Sequence, residues 1–138
     1  MSKIELKDYE EFVASTVSKP STDFYTLISR LNDLDNTAYN FGVNIPSLLT
    51  ASAGLSAEAG EFTEVVKKIV FQGKPLDEDN IFHLKRELGD ILWYAVIACK
   101  ALNITLEDAI VMNVEKLSAR YPQGFEIIRS EVRKTGDV

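Results

Sequence analysis

The chain has 138 residues, of which 46% are hydrophobic and 26% charged; that is enough for one domain with its own core, and unlike a disordered or fibrous composition. A formal net charge of -6 argues against duplex nucleic acid as the main partner, because such binding rests on phosphate neutralisation by Lys and Arg. The one cysteine, Cys99, can form no internal disulfide or thiolate metal site, the start "MSKIELKDYEEF" does not read as a signal peptide, and no apolar run nears membrane-spanning length, so a cytoplasmic protein with no membrane partner is expected.

Glycine and proline cluster at few places, and the segments between them carry helical periodicity, which predicts an all-α fold of four to five bundled helices in a single domain, 1–138. A first helix is expected over Leu6 to Val17 and a second from Thr22 to about Tyr39, with "SKPST" punctuating the join. "NIPSLL" opens a long third helix with Pro46 in its first turn, and "QGKP" closes it. The fourth follows the acidic, cap-like "LDEDN" and runs from about Ile81 to Leu102. Thr105 and Asp108 have capping-box spacing at the start of the fifth, which "RYPQGF" stops. The polar tail from Glu126 to Val138 is read as a short helix that frays.

Two of these helices carry acidic pairs. "SAEAGEF" places Glu58 and Glu61 three residues apart, and "ELGDILWY" places Glu87 and Asp90 likewise. At helical spacing each pair stacks on one face and repels unless a cation or proton intervenes. In the fourth helix Leu84, Leu88, Ile91, Ala95 and Leu102 form the expected apolar stripe, with Lys85, Gly89 and Lys100 on the polar back. Glu87 and Asp90 fall on a flank of that stripe, in a column with His83 and Tyr94. In the third helix Leu55, Phe62, Val66 and Ile69 form the stripe, flanked by Glu58, Glu61, Val65 and Lys68. If the stripes pack antiparallel, the four carboxylates converge. Hard oxygen ligands without thiolates or paired histidines select Mg²⁺ or Mn²⁺, whose remaining positions suit phosphate oxygens. Either pair alone is more often a solvated face; the joint pattern on consecutive helices favours a metal site.

In the fifth helix Leu106, Ile110, Val114 and Leu117 form the expected core stripe, and Asn113, Lys116 and Arg120 share one flank. An amide and two cations in a row can hold the oxygens of a metal-bound polyphosphate and neutralise charge on its leaving group.

The order "GLSAEAGEF", "KKIVFQGKPLD", "ELGDILWY", "NVEKLSARYPQGF" resembles the MazG-like nucleotide pyrophosphohydrolases of the all-α NTP pyrophosphatase superfamily, over about Leu48 to Phe125. Their motif, E-x-x-E on one helix and E-x-x-D on the next, corresponds here to Glu58, Glu61, Glu87 and Asp90. The resemblance implies Mg²⁺-dependent hydrolysis of a nucleoside triphosphate between its α and β phosphates, by a dimer or tetramer of helical bundles. It also implies that the four carboxylates hold metal and that one of them orients the attacking water. Tyr94, Asn113, Lys116, Arg120 and Tyr121 match family positions at the nucleotide pocket. Lys67 and Lys68 match the basic pair after the first acidic motif, and Lys74 the residue of the "QGK" turn, where phosphate contact is implied.

Other residues read as structural. His83 is a lone histidine at a helix end, Trp93 fills a subunit or helix interface, Cys99 is a small core residue, and Gly54 and Gly60 permit close approach of a helix or ligand. The leading expectation is thus a (deoxy)nucleoside triphosphate pyrophosphohydrolase for pool control or sanitation. The alternatives are a catalytically silent helical interaction module, and a hydrolase of another polyphosphate such as an alarmone.

Overall fold

Capping side chains set where the helices that start at Phe24, Glu78 and Leu106 begin. The computed structural model describes residues 5 to 131, and among them every regular element is helical. The helices are α1 (Leu6–Thr16), α2 (Lys19–Thr22), α3 (Phe24–Tyr39), α4 (Ile45–Phe71), α5 (Glu78–Ala101), α6 (Leu106–Arg120) and α7 (Ile127–Glu131). The all-α expectation holds. Of the tail expected to be helical, only the part up to Glu131 lies within the described residues. No described helix is long and apolar enough to cross a membrane.

The chain divides into two compact units, Met1–Ile45 and Pro46–Val138. In the first, the "SKPST" join is not merely punctuation but one helical turn, α2, with Pro20 in its first turn, where a missing N–H costs nothing. Asp23 then caps α3 by accepting the Thr26 N–H at 2.7 Å. The hydrogen bonds from Thr26 hold the Asp23 carboxyl below the usual carboxylate range. Gly42, at φ +67°, ends this segment, and the Val43 N–H turns back to the Ala38 carbonyl at 3.0 Å.

In the second unit, α4 starts as expected around Pro46. α5 starts three residues before the expected Ile81, because Asp77 accepts the Asn80 N–H at 2.9 Å and so draws the acidic Glu78 and Asp79 into the first turn, against the positive end of the helix dipole. Asn80 is itself buried and donates to the Pro75 carbonyl at 2.9 Å, which pins the connector to the helix. Asn103, at φ +57°, closes α5, a conformation asparagine tolerates. The Thr105–Asp108 capping box forms: the Asp108 N–H donates to Thr105 Oγ1 at 3.0 Å, and the Thr105 N–H to Asp108 Oδ2 at 2.8 Å.

Packing departs from the expected stripes. The buried residues of α4 are Ala51, Gly54 and Val65, and those of α5 are Asn80, Glu87, Cys99 and Ala101. Cys99 is a small core residue, as expected. Leu88 of the expected α5 stripe is 50% exposed, and α6 buries none of its stripe, with Ile110 at 55% and Val114 at 56% exposure. Periodicity locates an apolar face but does not say what covers it. In α5 the face toward α4 is instead the one bearing Glu87, which therefore lies in the core and not on a flank.

Candidate active site

Gly54 sets the approach of α4 to α5. A β-carbon there would overlap the Tyr94 ring at Cδ1, Cε1 and Cζ, so the aromatic ring lies directly on the α4 backbone. The short connector between Phe71 and Glu78 returns α5 antiparallel to α4. Moving away from the Gly54–Tyr94 contact, Glu58 and Glu61 follow on α4 one and nearly two turns along, and Asp90 and Glu87 do the same on α5. Gly60 has open space around it and serves no close helix approach.

One carboxylate oxygen from each of Glu58, Glu61 and Glu87 lies within 4.8 Å of the other two. Glu87 is 7% exposed, Glu58 half-buried and Glu61 exposed, so the group spans the boundary between core and solvent. Asp90 is exposed and outside this triad, but its charge reaches Glu58. Loss of hydration, then repulsion from Glu61, Asp90 and Glu87, and a hydrogen bond with Glu87, all hold the Glu58 carboxyl above its ordinary value. Arg86 stands four residues before Asp90, the spacing of a helical ion pair, yet the two form no ion pair among the described residues. Crowded carboxylates that favour a proton on one member fit a hard divalent cation, because an all-oxygen donor set with solvent on one side suits Mg²⁺ or Mn²⁺.

His83, in the same column as Glu87 and four residues before it, places its Nε2 2.9 Å from Glu87 Oε1. The signal was there in the i, i+4 spacing of His83 and Glu87. Trp93 is 59% exposed and meets the Tyr94 ring edge-on at 4.8 Å, so among the described residues it fills no helix interface. Tyr94 is half-buried between Gly54 and Trp93.

The lysines after the first acidic pair gather around Glu64, a residue the sequence reading passed over. Lys68 Nζ lies 3.0 Å from its carboxylate, and that bond, the charges of Lys68 and Lys67, and the more distant Lys74, hold Glu64 below the usual range. The Lys74 N–H donates to the Lys68 carbonyl at 3.1 Å, which folds the "QGK" turn back onto the end of α4.

The expected α6 column divides. Asn113 and Lys116 line an open groove of about 300 Å³ together with Ile104, Ala109 and Met112, three apolar residues not singled out in the sequence. Arg120 instead places its guanidinium 5.9 Å from the centre of the Tyr121 ring, and Tyr121 meets Phe125 at 5.3 Å.

The chain is 33% identical over 82 residues to the "Gene 37 protein" of Mycobacterium phage L5, a match covering 59% of this chain and 72% of that protein. No solved structure matches the chain. The model of the MazG nucleotide pyrophosphohydrolase domain matches residues 47–125, a segment that holds both acidic pairs, the lysine cluster and the α6 groove residues. By that match over more than half its length, the chain belongs to the MazG nucleotide pyrophosphohydrolase domain family.

Proposed function

We propose that the chain hydrolyses nucleoside triphosphates, with deoxynucleotides among them, to the monophosphate and pyrophosphate, for nucleotide pool control or sanitation. The observation that carries this reading is the convergence of Glu58, Glu61 and Glu87 inside the family-matched segment, with the Asp90 charge acting on Glu58. Glu58, Glu61, Glu87 and Asp90 would hold Mg²⁺, with Mn²⁺ able to substitute. A bound divalent cation would draw charge from the phosphate oxygens and orient them. One of the four carboxylates would also orient the attacking water.

α6 touches α5, and in this reading Lys116 and Arg120 would face the phosphates of a substrate held at the carboxylates. Lys116 and Asn113, sharing the groove, would bind the far phosphates, and Ile104, Ala109 and Met112 give the same groove an apolar wall against which a substrate can be desolvated. Arg120, Tyr121 and Tyr94 complete the substrate side in this reading. Lys67, Lys68 and Lys74 act as a group whose field favours an anion near the end of α4, with Lys68 shared with Glu64.

The chain also works as a homodimer or homotetramer in this proposal. Support comes from exposed apolar residues on consecutive helices, Leu88, Leu92 and Trp93 of α5 with Ile110 and Val114 of α6.

The test is hydrolysis of a panel of nucleoside triphosphates in ¹⁸O-water, with Mg²⁺ and with EDTA. Label in the monophosphate, pyrophosphate as co-product and loss of turnover in EDTA are the expected results. Orthophosphate as the first product, or label only in pyrophosphate, overturns the assignment. Turnover confined to an alarmone points to the other polyphosphate reading, and no turnover on any substrate to a silent module.

A further inference from the structure

Glu87 is the most deeply placed of the clustered carboxylates, and it is held from two sides. On one side one of its carboxylate oxygens lies within 4.8 Å of an oxygen of Glu58 and of Glu61; on the other, His83 Nε2 lies 2.9 Å from its Oε1. His83 precedes Glu87 by one helical turn on α5 and is about half exposed, so it closes the solvent side of a carboxylate that is otherwise buried. A buried carboxylate with a free rotamer would lose its aim toward its neighbours. One fixed by an N–H donor would not.

We propose that His83 is a positioning residue for the metal centre: its Nε2–H donates to Glu87 Oε1 and fixes that carboxylate in the orientation that meets Glu58 and Glu61. The role needs only a donor at the Nε2 position, and a neutral imidazole supplies it. It rests on the metal-site reading above and adds a residue outside the acidic motif. His83 touches neither the water nor the phosphates in this role.

The geometry separates this role from mere packing. In glutamine the side-chain amide nitrogen is as many bonds from the backbone as Nε2 of histidine, whereas the amide nitrogen of asparagine corresponds to Nδ1. Only the first can place a donor on Glu87.

The experiment titrates Mn²⁺ into the full chain without nucleotide and reads free Mn²⁺ by electron paramagnetic resonance, for wild type, His83→Ala, His83→Asn and His83→Gln. Circular dichroism in EDTA confirms equal helix content. His83→Ala and His83→Asn are expected to weaken Mn²⁺ binding by about ten- to a hundredfold, the usual cost of losing a partner that orients a metal ligand, and His83→Gln to recover most of that loss. Wild-type affinity in His83→Ala overturns the proposal, and so does a His83→Gln variant that binds no better than His83→Asn. Absence of Mn²⁺ binding by the wild type is a different failure: it removes the metal-site reading itself, and this proposal with it.

Discussion

Gly54 and Tyr94 fix the register of the two acidic helices, because the Tyr94 ring occupies the space where a side chain at position 54 would begin. On the same side of that contact, one oxygen of each of Glu58, Glu61 and Glu87 comes within 4.8 Å of the others. A glycine in a helix interior costs about 0.5–1 kcal/mol relative to alanine, and here that cost is offset by the close approach it permits.

Gly54→Ala should therefore lower stability in spite of its better helix propensity. Overpacking typically costs about 1–3 kcal/mol, which exceeds the propensity gain over most of that range, and the displaced α5 should also lose activity. Urea denaturation checks it. The double variant Gly54→Ala, Tyr94→Ala should show a favourable coupling in a double-mutant cycle, since removing the ring removes the clash. A Gly54→Ala chain more stable than wild type would mean that the two helices do not approach at this point.

Glu58→Gln, Glu61→Gln, Glu87→Gln and Asp90→Asn should each abolish turnover and leave the metal-free helix content unchanged. The wild type should gain melting temperature on adding Mg²⁺, a gain these variants lose, because a ligand that binds only the folded chain stabilises it by mass action. Equal Mg²⁺ shifts in wild type and variants would show that the carboxylates share no ion.

The pH dependence of the metal-free protein has a definite sign at Glu58. Its carboxyl is held above the ordinary value, so across the interval between the two values the folded chain binds a proton that the unfolded chain has released. Stability thus falls as pH rises from the ordinary value through the folded one, and the loss persists above it. Glu58→Gln removes this dependence. In EDTA the variant should melt above wild type at neutral pH, with the difference shrinking to nothing as pH falls below the ordinary glutamate range. An unchanging difference across that range would assign the effect to packing rather than charge.

Lys116→Ala should lower kcat/KM by roughly ten- to a hundredfold, since a charge-assisted contact to phosphate contributes about 1.5–3 kcal/mol. Arg120→Ala should fall in the same range. Lys85→Ala and Lys100→Ala, exposed on α5, serve as controls and should stay near wild type. Steady-state kinetics decides: activity of Lys116→Ala matching the controls would make its groove a surface feature and not a phosphate site.

Light scattering after size exclusion should give a mass of two or four chains for the wild type. Val114→Glu, placing a charge on the exposed apolar face of α6, should shift the mass toward one chain. A monomeric wild type would sink the assembly.

Local chemistry made much of this protein legible in its sequence. The capping box at Thr105 and Asp108, the proline-led start of α4 and the glycine-bearing turn after it depend on residues a few positions apart, so they can be read without knowing what packs where. The acidic pairs were legible for the same reason, each being one helical turn of spacing. What the tertiary structure alone decided is which face of each helix turns inward. Periodicity marks Leu88, Ile110 and Val114 as core, but an apolar face is buried only when a partner covers it, and among the described residues none does so fully. Conversely, Glu87 was read on a flank and lies in the core, because the Gly54–Tyr94 contact, made between residues forty positions apart, sets the rotation and register of α5 against α4. The same distance effect explains His83. Its neighbour was visible in the sequence, but its role was not, since that role comes from the burial of Glu87, a property of the packed pair of helices rather than of either one.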